Sequence, residues 1–494
     1  MKKSSKKLLS ILLALTLVFS LTACGKQENA GTDTKSPTDG AASTVATTAP
    51  TEAAAATPTA VPDKYEAFDF GGRTITVGIW WDYFYTSDHT AITDNPNVAN
   101  TETAQMQLDN VRRIEQKYKC KIVFKNLGWS GVISSINTSI AAGTPECDIY
   151  LTDLQFGIPA VFNGLAQELS SVALANSDLF GDNQIVKPLK TDALNGTYLF
   201  TEQGPVQNAI FMGYNATMIQ DLGLEDPQEL YKNGQWTWDK FAEMAKAGTR
   251  DTDGDGTTDV YGYGGVWTDL TNGLVMNNGG SIAGTKTEGL SSKPVMEALD
   301  FMNRLYNVDK SARPWNETDW NDNLLAWSSG KVMFWTGQSW LLKQEADAAT
   351  KNGAELPFEY HVVPYPQGPS GDGTTYTPYQ GNWYMIPVGV QEPGKVLQIF
   401  EEFLGWHKGD PQYRDDLTWF ESCFTSQEDV DMALSIGQNL KFDPWGYLSP
   451  YYDLGSSIFF PIAVTKDATV AQAVESAKPM LQNALDNLVY KNAK

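Results

Sequence analysis

The chain has 494 residues, 59 acidic against 36 basic, for a formal net charge of -23, with 42% hydrophobic residues, 15 Trp, three His and four Cys. Such length and apolar content support a buried core spread over two or three domains. They speak against nucleic acid, which needs a basic footprint, against His-based metal clusters or triads, and against a disulfide scaffold, while the Trp excess points to aromatic binding surfaces as well as core.

Lys2, Lys3, Lys6 and Lys7 precede an apolar run from Leu8 to Leu21. Such a run is short for a membrane span and suits the core of a signal peptide. It ends in Leu21-Thr22-Ala23-Cys24-Gly25, which resembles the bacterial lipobox, where the peptide is cut before the Cys and its thiol is diacylated. The resemblance implies a leader over 1–23, with Cys24 as the first residue of a lipoprotein. The alternative is ordinary small-residue cleavage beside an incidental Cys. Two acyl chains anchor stably, and no later stretch is apolar for long enough to span. The expected location is the extracellular face of a bacterial cytoplasmic membrane, held by lipid alone. Without the leader, 32 basic residues face 59 acidic ones. Of residues 25–62, 28 are Ala, Thr, Pro, Gly or Ser, with no aromatic. Residues 24–62 therefore read as the lipidated Cys followed by a disordered tether.

Folded sequence is expected from about Tyr65. Thr74–Ile79 alternates as a strand, and 101–118 carries Leu108, Val111, Ile114 and Tyr118 at helical spacing. Further strands are predicted over Cys120–Phe124 and Asp148–Leu151, with a helix over 130–142. Strand and helix alternate, which means parallel βα units. Later helices are predicted at 237–247, 293–306, 337–350, 395–407 and 467–489.

Just beyond the helix at 237–247, one motif stands out. Asp251-Thr252-Asp253-Gly254-Asp255-Gly256-Thr257-Thr258-Asp259 matches the first nine positions of an EF-hand-type loop. Asp251, Asp253, Asp255 and Asp259 would converge on one hard cation, Thr257 would add a carbonyl, and Gly256 permits the turn. Position twelve is Gly262 in place of the bidentate Glu. A structural Ca2+ is the expected cofactor; the plain alternative is an Asp/Gly-rich surface turn.

Five local signatures carry a wider resemblance: Met212-Gly213-Tyr214-Asn215 followed by Leu222-Gly223-Leu224; Gly234-Gln235-Trp236-Thr237-Trp238-Asp239-Lys240-Phe241; Gly330-Lys331-Val332-Met333-Phe334 leading to Gly337-Gln338-Ser339-Trp340; Val363-Pro364-Tyr365-Pro366-Gln367-Gly368-Pro369; and Ile386-Pro387-Val388-Gly389. In order, spacing and company with the lipobox, the chain over 65–494 resembles the extracellular solute-binding proteins of carbohydrate ABC importers, the group that includes maltose-binding protein. The resemblance implies an α/β, two-lobed periplasmic-binding-protein-like fold (type II), each lobe a mainly parallel sheet flanked by helices. Residues 63–204 plus 376–424 would form the N-terminal lobe, and 205–375 plus 425–494 the C-terminal lobe, with crossings near Gln203, Tyr376 and Phe424. It implies a monomer that closes by a hinge on a carbohydrate, an oligosaccharide by expectation, and delivers it to membrane permease subunits carried on separate chains.

Ligands of open α/β lobes sit outside the carboxyl ends of the strands. The first strand ends in Ile79-Trp80-Trp81-Asp82-Tyr83-Phe84-Tyr85, a run suited to stacking on a sugar face and accepting its hydroxyls; one of Trp80 and Trp81 belongs to the core if the two point opposite ways. Asp153 ends the third strand, either as a hydroxyl acceptor or as the cap of the next helix. The resemblance implies Glu202 and Gln203 at the first crossing and Trp340 as a stacking residue, with Trp267 and Trp383 as further candidates. Trp236 and Trp238 open a helix and are expected to pack, as is Trp406 in the 395–407 helix. Trp315, Trp320, Trp327 and Trp335 either line the cleft or pack the second lobe.

Carboxylates and aromatics also describe glycoside hydrolases, and a secreted carbohydrate-active enzyme stays open as an alternative. The chain shows no G-x-S-x-G, H-E-x-x-H, Walker loop or strand-following G-x-G-x-x-G. A binding protein for a peptide or another polar solute is a second alternative, and an adhesin or sensor subunit on the same fold a third. Cys120, Cys147 and Cys423 read most simply as buried free thiols.

Overall fold

A computed structural model describes residues 64–494 except 83–85, 87, 95–100, 285, 317–319, 343–355, 380, 449–457, 460, 463–467 and 490–494. The expected leader, Cys24 and the tether, Tyr83-Phe84-Tyr85 and the end of the helix anticipated over 337–350 lie outside the described residues. Among the described residues the strands are β1 (Thr74–Ile79), β2 (Lys121–Asn126), β3 (Ile149–Asp153), β4 (Val186–Pro188), β5 (Leu199–Glu202), β6 (Phe211–Asn215), β7 (Tyr261–Tyr263), β8 (Val332–Gly337), β9 (Tyr360–Val363), β10 (Thr377–Pro378), β11 (Asn382–Met385) and β12 (Leu440–Lys441).

Strands β1 to β3 alternate with helices α1 (Thr101–Tyr118) and α2 (Trp129–Ser135, continued by a π-turn over Ile136–Ile140), and α3 (Leu154–Phe162) follows β3. On α1 the residues Ala104, Leu108, Val111, Ile114 and Tyr118 are buried, as their spacing predicts. The alternation does yield parallel pairs, β1 with both β2 and β3. The full six-stranded sheet is mixed, in the order β2-β1-β3-β11-β5-β4. β11 arrives from far along the chain and wedges antiparallel between β3 and β5, and β4 pairs antiparallel with β5. A strand contributed by a returning segment is free of the βαβ crossover that keeps neighbours parallel.

The second sheet runs β7-β8-β6-β9. β7 is parallel to β8, while β6 is antiparallel to both β8 and β9. Its flanks include the helices Trp238–Gly248, Trp267–Met276 and Lys293–Asn303. Trp236, Trp238, Trp327 and Trp335 are buried. Trp327 stacks on Trp335 at 5.8 Å, and Trp238 on Phe301 at 4.8 Å. Trp315 is partly buried against the core. These rings are structural, as offset and edge contacts between aromatics favour.

The helix expected at 395–407 spans Pro393–Leu404 and packs on α1. Gly405 ends it, so Trp406 lies past the last turn, half-buried with its edge on His407. A buried Glu402 on this helix receives hydrogen bonds from Lys117 and Tyr118 of α1, plus an ion pair from Arg113. Cys120, Cys147 and Cys423 are buried free thiols; burial pushes Cys120 and Cys147 up to about 11, which keeps them as thiols. Among the described residues no helix is long and apolar enough to cross a membrane.

Candidate ligand-binding cleft

Register decides which residues share an edge. In the first sheet β1, β2, β3 and β5 end on the same side, and β11 starts there, with Asn382 opposite Asp153. That edge therefore carries Trp80, Trp81 and Asp82 after β1, Trp129 after β2, Asp153 at the β3–α3 junction, Glu202 and Gln203 at the end of β5, and Asn382 with Trp383. In the second sheet the carboxyl ends of β7, β8 and β9 lie together with the start of β6. Trp267 and Asp269 follow β7 there, and Trp340 follows β8.

The two edges face each other. The charge of Asp153 reaches Asp269, and the Tyr447 hydroxyl feels both. α3 packs on the turn Pro444–Tyr447. Burial raises Asp153 to about 6, against one helix-capping bond from the Gln155 amide at 2.8 Å. Burial raises Asp269 to about 7, and the Asp153 charge adds to it. Each is largely buried yet keeps a partial opening to water. No cation partners either one among the described residues. Two such acids resist ionising together and favour a ligand that brings hydrogen-bond donors.

Glu202 stands at the end of β5. The surrounding walls raise its pKa and the charge of Lys187 opposes them; its side chain is open to water, which tempers the shift. The Lys187 ammonium donates to the Gly204 carbonyl at 2.9 Å, and the Gln203 amide donates to the Ile185 carbonyl. Asp82 is exposed and accepts from Asn126 Nδ2 at 3.0 Å.

The tryptophans divide sharply. Trp80 is half-buried and meets Trp81, Trp129 and Phe156 edge-to-face at 5.0, 5.1 and 5.7 Å. Trp129 is 40% exposed and Trp340 42%. Trp267 and Trp383 are each 5% exposed. Trp267 packs on Phe459 at 5.6 Å, and the buried Trp383 Nε1 has no hydrogen-bond partner among the described residues. These last two present no open face. Sequence reasoning missed Trp129, Asp269 and Tyr447. A Trp just past a strand was a usable sign for Trp129, and a first-turn acid beside Trp267 for Asp269; Tyr447 carried none.

The model of the bacterial extracellular solute-binding protein family matches residues 98–410, well over half of the chain. The chain belongs to this family. It is thus a solute-binding protein in a family of binding proteins, not of enzymes.

Solved structures agree on the two-lobed type II fold. The cyclic α-maltosyl-1,6-maltose binding protein of Arthrobacter globiformis superposes with TM-score 0.57 at 17% identity, covering 84% of this chain and all of that one. An ABC substrate-binding protein of Listeria monocytogenes in complex with cycloalternan gives 0.57 at 15% identity, over 84% and 99%. UgpB of Mycobacterium tuberculosis in complex with glycerophosphocholine gives 0.55 at 16% identity, over 78% and 96%. Among curated protein sequences none matches significantly.

In this solute-binding protein the loop 251–259 is closed by backbone bonds between Arg250 and Val260. Carboxylate oxygens of Asp251, Asp253 and Asp259 lie within 4.8 Å of one another. Asp255 is not in that trio; its carboxylate accepts from the Thr257 amide at 2.6 Å. Asp251 accepts from the Gly256 and Gly254 amides, which hold its pKa below the ordinary carboxylate value. A Cβ on Gly262 would lie 1.9 Å from the Ala245 carbonyl oxygen. Position twelve thus has no room for any side chain, and the missing Glu is a packing consequence.

Proposed function

We propose that this protein captures a carbohydrate, an oligosaccharide, between the facing sheet edges and delivers it to an ABC permease by hinge closure. The observation that carries the reading is the facing of Asp153 and Asp269, close enough to feel each other's charge, on sheet edges that also carry the half-buried Trp80 and the exposed Trp340. Aromatic rings suit the C–H face of a pyranose, and buried acceptors suit its hydroxyls. Asp82 and Glu202 add acceptors, Trp81 and Gln203 add walls, and Trp267 and Trp383 back the site from the core. A ligand touching both lobes stabilises the closed form in proportion to what it gains there. The relatives solved with a cyclic maltosyl-maltose specificity and with cycloalternan support the sugar class. A phosphodiester such as the glycerophosphocholine held by UgpB is disfavoured, because its anion would meet two acids that lack a cation.

The anchor and the ion complete the proposal. Cys24 would carry the acyl chains that hold the protein outside the membrane, with residues 24–62 as tether. Asp251, Asp253 and Asp259, with the Thr257 carbonyl and Asp255 at the periphery, would hold a structural Ca2+. The purified protein should be stabilised in thermal melts by oligosaccharides more than by amino acids or peptides; strongest stabilisation by a peptide would overturn the sugar class. Cys24→Ala should abolish palmitate incorporation and release the protein to the medium.

A further inference from the structure

We propose that Trp129 is a sugar-stacking residue forming an outer subsite, so that the cleft selects oligosaccharides over single sugars. This rests on the carbohydrate reading above and adds to it a residue and a length preference.

The ring is held before any ligand arrives. Asn126 ends β2, and its side chain ties two loops together. Its Nδ2 donates to Asp82 Oδ1 at 3.0 Å, and its Oδ1 accepts from the Gly128 amide at 3.0 Å. The Leu127 amide donates to the Ile79 carbonyl at 2.8 Å. Gly128 then turns at φ 67, a left-handed backbone that favours glycine, and Trp129 opens α2. Its indole meets Trp80 at 5.1 Å and 79°, and Phe156 at 5.1 Å and 87°. Two perpendicular aromatics brace the ring, yet 40% of the residue stays open to water. Trp419 and Phe180 are equally open; what sets Trp129 apart is its place at the strand-end edge, braced by Trp80 and Phe156 and next to the exposed Asp82. A rigid aromatic also loses little conformational entropy on binding.

Position sets the ligand size. β2 is the outermost strand on its side of the sheet, and β1 separates it from β3. At about 4.8 Å per strand, the ends of β2 and β3 stand roughly 10 Å apart. That is farther than one pyranose ring reaches. A sugar held at Asp153 and Asp269 would therefore need a second or third ring to cover Trp129. The exposed Asp82 beside the platform would accept a hydroxyl of that outer ring.

The test is calorimetric titration of wild type, Trp129→Ala and Trp129→Phe with mono- to tetrasaccharides of the malto-, cello-, xylo- and manno- series. Trp129→Ala should lose about tenfold in affinity for tri- and tetrasaccharides, equivalent to about 1.4 kcal/mol, and less than twofold for the monosaccharide. Trp129→Phe should recover most of the loss. Thermal melts verify folding, and if the Ala variant is unstable the same length dependence is read from Trp129→Leu, which keeps apolar bulk but has no aromatic face. Equal losses at every length, no loss at all, or a wild type that holds only a single sugar would each overturn the subsite. A wild type that binds no sugar would instead overturn the carbohydrate reading beneath it.

Discussion

The acids of the loop 251–259 and the acids of the facing sheet edges are one residue type in opposite surroundings. In the loop, backbone amides of Gly254 and Gly256 hold Asp251 ionised, and the Thr252 hydroxyl and amide do the same for Asp259. At the edges, burial pushes Asp153 to about 6 and Asp269 to about 7. The first group gathers donors from its own few residues. The second is desolvated by elements far apart in the chain, with one capping amide between the two acids. Crowded carboxylates alone therefore do not say what a site takes. A set that stays ionised suits a hard cation, and a set that resists ionising suits a ligand rich in hydroxyl donors.

The largest effect should come from forcing the loop toward an EF-hand. Gly262→Glu would restore position twelve, but its Cβ would strike the Ala245 carbonyl. Overpacking of this kind costs about 1–3 kcal/mol and more against backbone, so urea unfolding should lose at least about 3 kcal/mol. A wild-type midpoint would show that the loop can open without cost. Next, Ca2+ at about a hundred times its Kd should stabilise the protein by about 2.7 kcal/mol. Asp251→Ala should abolish that gain while Asp255→Ala retains most of it, because Asp255 lies outside the converging trio. Melts insensitive to chelation would remove the ion from the account.

Asp269→Asn should weaken oligosaccharide binding by about 1.5–3 kcal/mol, the range for a hydrogen bond to a charged group, while the thermal midpoint rises as a buried charge disappears. Asp153→Asn should behave alike, since Asn also caps a helix. A midpoint that falls in both would mean the acids are structural. The smallest effect is on pH. Both folded pKa values lie above the ordinary 3.8, so the fold holds protons that the unfolded chain releases. The stability this contributes is fully present below about pH 4 and is lost as pH rises through 6 to 7. Ligand hydroxyls favour the ionised acids, so affinity should rise over the same window, by at most about tenfold per pH unit for each proton released. A flat affinity from pH 5 to 8 would contradict the pairing.

Much of the fold was legible early because its signals are local. The helical spacing on α1, the alternation of β1 and the turn chemistry of 251–259 each depend on neighbours within a few residues. The mixed sheets were not, since β11 owes its place to a segment that returns after more than two hundred residues. The site was half legible. Asp153, Trp80 and Trp340 follow strands, where the strand-end rule places ligands. Trp129 and Asp269 satisfied the same rule but were masked by many other Trp and Asp residues.

By itself the sequence determined the first three strands with the helices between them, several later helices, the composition of the ion loop and the signatures of the solute-binding family, all of them written in short-range patterns. Only the tertiary structure decided which tryptophans stay exposed, that Asp153 and Asp269 feel each other's charge with no cation beside them among the described residues, and that Gly262 leaves no space for a twelfth ligand. Exposure and desolvation are sums over atoms brought together by folding, and residues hundreds of positions apart supply most of those atoms.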